Sequence, residues 1–123
     1  MARIRGRGNK DTELALAKVF RAHRITGWRR HRPVFGKPDF VFAGRKVAVF
    51  VDGCFWHGCP RHATWPAHRA AWWRRKILGN RARDARVTRA LRRAGWRVLR
   101  VWEHELARKN EARLVSRLRR VLR

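Results

Sequence analysis

Two short apolar runs lie close together between residues 38 and 52, in the sequence PDFVFAGRKVAVFVD. The tripeptide Ala43-Gly44-Arg45 separates them, and a glycine-containing break between two apolar runs is typical of a β-hairpin. Because neither run alternates polar and apolar residues, we expect its strands to be buried. Buried strands need packed layers over them.

Helices and a further strand are predicted around this hairpin. Helices are expected at about 11–24, 67–93 and 110–122. Gly95 ends the long helix, and Gly79-Asn80 is expected to divide or bend it. The run WRVLRVW at 96–102 predicts another buried strand. This order of elements predicts a mixed central sheet flanked by helices.

The charge of the chain indicates a polyanionic partner. Its 123 residues include 33 Lys and Arg against 8 Asp and Glu, for a formal net charge of +25. A compositional bias toward Arg would explain why Arg outnumbers Lys, but it does not explain why acids are scarce. A field of this sign attracts nucleic acid, so DNA or RNA is the predicted partner. No apolar run approaches the ~20 residues of a membrane span, so no membrane association is expected.

One compact domain is expected from a chain of this length. Residues 1–10 are basic and contain glycine, which predicts a flexible arm, while residues 11–123 are predicted to form the single domain. The 2 Cys residues do not suggest a secreted disulfide framework, and no signal peptide is evident. We therefore expect a cytoplasmic, nucleoid-associated protein, and we expect it to be a monomer.

The scarce acids are the most informative charged residues. Asp39 and Asp52 stand at the ends of the apolar runs, where a buried carboxylate is costly without a partner. A divalent cation is one such partner, since Mg²⁺ prefers carboxylate and water oxygens and can activate water against a phosphodiester. An ion pair with one of the many Arg residues is the alternative, and spacing alone leaves both open.

A loop rich in metal ligands follows the second apolar run. Thiolates and imidazoles favour tetrahedral Zn²⁺, and the pattern Cys-x4-Cys-x2-His lacks only a fourth ligand. The predicted zinc ligands are Cys54, Cys59, His62 and His104. His57 and His68 compete with them. The spacing is unusual for zinc fingers, so two free thiols in a loop are the alternative.

Aromatic residues cluster in the same part of the chain, at Phe55, Trp56, Trp72 and Trp73. Tryptophans at helical spacing are most often core residues. Phe55 and Trp56, adjacent in a loop, are harder to bury completely. Apolar side chains of this kind can wedge between base pairs and kink a duplex.

These motifs occur together in a known family. The strings GKPDFVF at 36–42, VFVDGCFWH at 49–57 and GWRVLRVWEH at 95–104, with 80–84 between them, resemble the very short patch repair endonucleases. The resemblance covers about 11–106, and GCFWH is its most specific part. It implies a restriction-endonuclease-like core of the PD-(D/E)xK type with a zinc-stabilised loop. It also implies an enzyme that uses Mg²⁺ to nick double-stranded DNA 5′ of the thymine in a T:G mismatch.

The resemblance assigns catalytic roles to individual residues. Asp39 matches the metal-binding aspartate, and Glu13 matches the acidic residue on the first helix. His57 matches the histidine of proton transfer, and Asp84 matches the acid that supports it. Aromatics that enter the DNA stack beside the mismatch are matched by Phe55, Trp56 and Trp73.

The resemblance also has departures. Val51 and Asp52 replace a Thr-His pair; the Val51 carbonyl could still bind Mg²⁺, and Asp52 could add a ligand or reorganise the site. Cys59 falls where the family often has His, His62 lies one position beyond the expected ligand, and His104 stands where Cys is common. The basic arm is shorter than in the family, which bears on mismatch specificity more than on cleavage.

Three functions are therefore compatible with the sequence. The first is a DNA endonuclease that nicks at T:G mismatches. The second is a related nuclease of a restriction or defence system with a different target. The third is a non-catalytic, zinc-stabilised DNA-binding module, although such a module gains nothing from carboxylates beside phosphate.

Overall fold

The computed structural model describes residues 10–53 and 69–122. The predicted arm at 1–10 falls almost wholly outside the described residues. Within them, the chain forms three α-helices and a four-stranded sheet. The elements are α1 (Lys10–Ala22), β1 (Arg29–Arg30), β2 (Phe40–Phe42), β3 (Val47–Asp52), α2 (Ala70–Arg93), β4 (Arg97–Trp102) and α3 (Glu111–Val121). Single 3-10 turns occupy Ala43–Arg45, Glu103–Leu106 and Arg108–Asn110.

The sheet is mixed, as predicted, with the strand order β1-β2-β3-β4. Strands β1, β2 and β3 pair antiparallel, and β3 pairs parallel with β4. The predicted hairpin is therefore confirmed as β2 and β3, and α2 lies in the connection from β3 to β4. Strand β1 was not predicted, because two residues are too short to show a periodic pattern.

Helices cover both faces of the sheet, which explains the uninterrupted apolar run of β3. Val47, Val49 and Val51 lie in one core with buried residues of α1 and α3. Ala48 and Phe50, which alternate with them, lie in a second core against α2. Every residue of β3 is buried. The α/β arrangement with flanking helices follows from this alternation, since successive strand residues point to opposite faces.

Helix α2 runs without interruption through Gly79-Asn80, so the expected division of this helix is wrong. Ile77, Asn80 and Leu91 are buried along it at helical spacing. Burial of this stripe, in which Leu91 packs against Ala48 and Phe50 of β3, outweighs the weak helix propensity of Gly79. At the C-terminal end, the Trp96 amide donates to the Leu91 carbonyl at 3.0 Å, and Gly95 has a positive φ of 91°. This is a Schellman cap, and it explains why a glycine ends the helix.

Helix α1 carries two acidic residues in its first turn and ends at Ala22. Asp11 and Glu13 lie in its first turn, where negative charge favours the helix dipole. The helix ends at Ala22, two residues earlier than predicted, and Arg24 follows with a positive φ of 57°. Across residues 10–53 and 69–122, none of the helices combines the length and apolar character needed to cross a membrane.

Candidate active site

Asp39 directly precedes β2 and lies at the end of the sheet where β2 begins. Its backbone amide donates to the Val49 carbonyl at 2.9 Å, which extends the pairing with β3 by one residue. Its carboxylate Oδ2 accepts the backbone amide of Val51 at 2.7 Å. The residue is only 4% exposed. A carboxylate that accepts a backbone N–H in this way is held in a defined orientation.

Asp52 is the last residue of β3 and lies at the same open end of the hairpin as Asp39, away from the turn. It is buried, and both of its carboxylate oxygens accept from Nη1 of Arg100, at 3.1 and 3.3 Å. The sequence left two partners open for Asp52, a divalent cation and an arginine. Among the described residues, the partner is Arg100.

Glu13 brings a third buried carboxylate toward this edge from α1. It is 2% exposed, and its Oε1 lies 3.3 Å from Nη2 of Arg30 and 3.2 Å from Nε2 of His31. The His31 amide in turn donates to the Asp39 carbonyl at 3.5 Å. Glu13 is therefore linked to Asp39 through the short strand β1 and the residue after it.

Asp84 lies in the middle of α2 and is half-buried. Its backbone carbonyl accepts from Nη2 of Arg100 at 3.1 Å, and its carboxylate Oδ1 is 3.8 Å from Nη1 of the same side chain. Its predicted partner, His57, lies outside the described residues. Arg100 consequently contacts two of the predicted site residues at once.

The predicted zinc site is described only at His104. This residue is half-buried in the turn after β4, and its carbonyl accepts from the Asn110 side chain at 2.8 Å. Cys54, Cys59 and His62 lie outside the described residues. The strand register pairs Asp52 with Trp102, so β3 and β4 end side by side, two residues before Cys54 and His104 in sequence. This register is compatible with a shared site.

Within 10–53 and 69–122, no three His, Cys, Asp or Glu side chains come together as a metal-binding group. Asp39 and Asp52 are accordingly held by protein contacts, an amide and a guanidinium respectively.

The aromatic residues divide between described and undescribed parts of the chain. Trp73, in the first turns of α2, is half-buried and packs edge-on against Trp72 at a centroid distance of 4.8 Å. Trp72 is 39% exposed and lies under the guanidinium of Arg69 at 5.0 Å. Phe55 and Trp56 lie outside the described residues. Trp73 is thus partly exposed, consistent with either packing or contact with DNA.

Sequence reasoning missed Arg100, Arg30 and His31. Arg100 had a usable signal, because it interrupts an apolar strand between Leu99 and Val101 and therefore faces the opposite side of the sheet from both. Arg30 and His31 had none, because their position beside Glu13 depends on the pairing of a two-residue strand.

Comparison with known proteins adds independent findings. The family model of DNA mismatch endonuclease Vsr matches residues 1–62. The type II nicking enzyme V.NmeDIP of Neisseria meningitidis serogroup C is 39% identical over 125 residues, which cover 97% of this chain and 80% of that protein.

Two further relatives match over shorter segments. The type II nicking enzyme V.NaeI of Lentzea aerocolonigenes is 58% identical over 69 residues, covering 56% of this chain and 42% of that protein. The DNA mismatch endonuclease Vsr of Escherichia coli (strain K12) is 43% identical over 72 residues, covering 55% of this chain and 44% of that protein. Each of these two matches spans less than half the length of the relative.

The family model covers the segment that contributes Glu13, Asp39 and Asp52, and the match to the Neisseria protein extends over nearly all of the chain. The chain therefore belongs to the DNA mismatch endonuclease Vsr family.

Proposed function

We propose that this chain is a Mg²⁺-dependent endonuclease that nicks one strand of double-stranded DNA 5′ of the thymine in a T:G mismatch. Relatives named as nicking enzymes and as a mismatch endonuclease support the reaction class. The net charge of +25 supports DNA as the substrate. We propose that the chain acts as a monomer.

The observation that carries the proposal is the buried, oriented carboxylate of Asp39. The carboxylate of Asp39, which is 4% exposed, accepts from the Val51 amide at 2.7 Å. Glu13 is linked to Asp39 through His31. In a chain with so few acids, burying negative charge beside a site for phosphate works against simple DNA binding. It suits a reaction that needs fixed oxygen ligands or a base.

The donor set at this edge fits Mg²⁺. Carboxylate and carbonyl oxygens are hard donors, so Asp39 and the Val51 carbonyl would hold the cation, with Asp52 a further candidate. When bound, Mg²⁺ would polarise the phosphodiester and promote ionisation of water. The oriented Asp39 carboxylate needs no rearrangement of the strand that carries it, because its orientation is already set by β3.

Proton movements would fall to the remaining predicted residues. Glu13, held by Arg30 and His31, would orient the attacking water. His57 would transfer a proton to or from the reacting oxygens, as a general acid or base. Asp84 would support the imidazole of His57 from α2. In the DNA, Phe55, Trp56 and Trp73 would enter the base stack beside the mismatch.

The donor set also fits a structural Zn²⁺. Cys54, Cys59, His62 and His104 would supply two thiolates and two imidazoles, a combination that suits a closed tetrahedral site. The adjacent ends of β3 and β4 support this set, since they bring the chain positions next to Cys54 and His104 together. Zinc there would stabilise the loop that carries His57.

The first experiment compares duplexes. Purified protein is given Mg²⁺ and a labelled duplex carrying one T:G mismatch, and the same duplex fully paired. The proposal predicts a single nick 5′ of the mismatched thymine and little cleavage of the paired duplex. Equal cleavage of both would favour a restriction-type target, and tight binding without any cleavage would favour a DNA-binding module.

The second experiment replaces Asp39. Asp39→Asn keeps the shape but removes the charge that holds a hard cation, so we expect it to abolish Mg²⁺-dependent nicking. DNA binding should be equal or slightly stronger, because a negative charge near phosphate is lost. Glu111→Gln is the matched control, since it removes one charge from α3, where Glu111 pairs with His23 at 2.7 Å. Unchanged nicking by Asp39→Asn would refute the assignment.

A further inference from the structure

Arg100, in β4, joins three elements on the α2 side of the sheet. Its Nη1 donates to both carboxylate oxygens of Asp52, at 3.1 and 3.3 Å. Its Nη2 donates to the Asp84 carbonyl at 3.1 Å, and its Nε donates to Oγ1 of Thr88 at 3.1 Å. The guanidinium also lies 4.2 Å from the ring centre of Phe50. Each guanidinium nitrogen therefore has a protein acceptor, and one face of the group is covered by a ring.

These contacts differ from an exposed ion pair in burial and geometry. The side chain of Arg100 is 22% exposed and that of Asp52 is 4% exposed. Buried charges persist only when their hydrogen bonds are satisfied, and here both partners meet that condition. A planar guanidinium can serve several acceptors in fixed directions, which an ammonium cannot do. Arg100 consequently fixes the end of β3, the middle of β4 and the middle of α2 relative to one another.

The contact with α2 falls at Asp84. Arg100 binds the Asp84 carbonyl, and Nη1 lies 3.8 Å from the Asp84 carboxylate. A carboxylate that supports a catalytic imidazole must hold a defined position, because small displacements are costly to rate. The same guanidinium takes up the carboxylate of Asp52, whose two oxygens both face it.

We infer that Arg100 is a positioning residue for the nicking reaction, and that Asp52 serves as the anchor of Arg100 rather than as a ligand of Mg²⁺. This inference rests on the proposed function. It assigns Asp52 to the ion pair with Arg100, and Arg100 in turn holds Asp84 in α2.

Hydrogen exchange tests the positioning without catalysis. Arg100→Gln is expected to speed exchange of the amides at 84–88 by about tenfold, because contacts that tie α2 to β4 are lost. Arg97→Gln is the matched control: Arg97 lies on the same strand, is exposed, and reaches only the Arg45 carbonyl at 3.5 Å among its described side-chain hydrogen bonds. Equal exchange in the parent and in Arg100→Gln would overturn the positioning role.

A milder variant covers the case in which Arg100→Gln does not fold. Thr88→Val removes the acceptor of Nε while keeping the shape of the side chain. It should give a smaller but measurable increase in exchange at 84–88. Exchange identical to that of the parent would count against the inference.

A kinetic cycle tests the consequence for the reaction. Single-turnover nicking is measured for Arg100→Gln, Asp84→Asn and the double variant. Arg100→Gln should slow nicking by roughly 10–100-fold, with little change in the half-saturating concentrations of DNA and Mg²⁺. Because Arg100 acts through Asp84, the double variant should be no slower than the slower single variant. Effects that multiply would overturn the inference.

Two further variants separate position from charge. Arg100→Lys keeps the positive charge but loses the planar guanidinium with its several fixed N–H donors. Its nicking rate should therefore be as low as that of Arg100→Gln. Full activity in Arg100→Lys would mean that charge alone matters.

A raised half-saturating Mg²⁺ concentration in Asp52→Asn would make Asp52 a metal ligand and overturn its role as anchor. A parent protein that nicks no duplex would refute the proposed function, while hydrogen exchange would still decide whether Arg100 fixes α2.

Discussion

Gly36 lies in the loop before β2, next to Val87 of α2. Its φ is +81°, and a Cβ built at this position would be 2.3 Å from Cγ1 of Val87. Alanine would therefore face both backbone strain and a collision with a packed side chain. We expect Gly36→Ala to lower the free energy of unfolding by about 1–3 kcal/mol, as measured by urea denaturation.

Gly44 provides the control for this prediction. No atom lies within 4 Å of a Cβ built there, and its φ is not in the left-handed region. Gly44→Ala should leave the free energy of unfolding unchanged or raise it by about 0.4–1 kcal/mol. Equal destabilisation by both alanines would mean that the Val87 contact does not matter.

At the residue scale, the sequence was enough to find the buried acids but not their partners. Asp39 and Asp52 stood out because a carboxylate at the end of an apolar run must be compensated. The Val51 amide and Arg100 could not be chosen from the sequence, since each comes from a different strand. Whether these carboxylates also take Mg²⁺ stays a prediction.

At the element scale, Gly79 in α2 is a weak point that the fold tolerates. It lies inside a 24-residue helix, and no atom lies within 4 Å of a Cβ built on it. Alanine should therefore fit without cost and reduce the conformational freedom of the unfolded chain. Gly79→Ala is expected to raise the free energy of unfolding by about 0.5–1 kcal/mol, seen as a higher melting temperature. A lower melting temperature would indicate that the helix needs a glycine here.

The zinc proposal also belongs to this scale, because it concerns the ends of β3 and β4. We expect about one Zn²⁺ per chain, by metal analysis of the purified protein. Cys54→Ser and His104→Ala should each reduce the zinc content and lower the melting temperature, since structural zinc energy is folding energy. His23→Ala is the control, because His23 pairs with Glu111 on α3. A folded protein free of zinc would contradict the proposal.

The elements were largely predictable where their patterns were long. The helix and strand content follows from apolar periodicity over many residues, as in α2 and β4. The continuity of α2 could not be predicted from the sequence. The low helix propensity of Gly79-Asn80 suggested a break or a bend, whereas the burial of Asn80 favours a continuous helix. Strand β1 did not follow either, since its pairing with β2 is set by tertiary contacts.

At the scale of the whole molecule, the distribution of positive charge over the surface, more than the net charge, determines where DNA phosphates bind. The loop at 33–37 and α2 form a groove of about 1040 Å³. Its described lining includes Lys37, Arg83 and Arg86 and no acidic residue. In sequence, Lys37 is two residues before Asp39, and Arg83 directly precedes Asp84. We expect DNA phosphates to lie along the groove.

Salt dependence tests this orientation. Each neutralised phosphate contributes about −0.9 to the slope of log affinity against log salt. Arg83→Ala and Arg86→Ala should each make the slope less steep by about that amount, measured with a mismatched duplex without Mg²⁺. Arg119→Ala and Arg120→Ala change α3, which packs on the opposite face of the sheet, and should leave the slope nearly unchanged. Equal changes in both pairs would mean that DNA does not prefer the α2 side.

The parallel pairing of β3 with β4 has a consequence for the order of folding. Val47 pairs with Arg97, fifty positions further along the chain, whereas β2 and β3 pair across a short turn. Contacts between distant residues require loop closure and generally form late, while local hairpins can form early. Asp39 and Asp52 would then lie at the same end of the hairpin before the guanidinium of Arg100 reaches Asp52. Weakening the β3–β4 pair should therefore speed unfolding more than it slows folding, so the site would open first at its arginine.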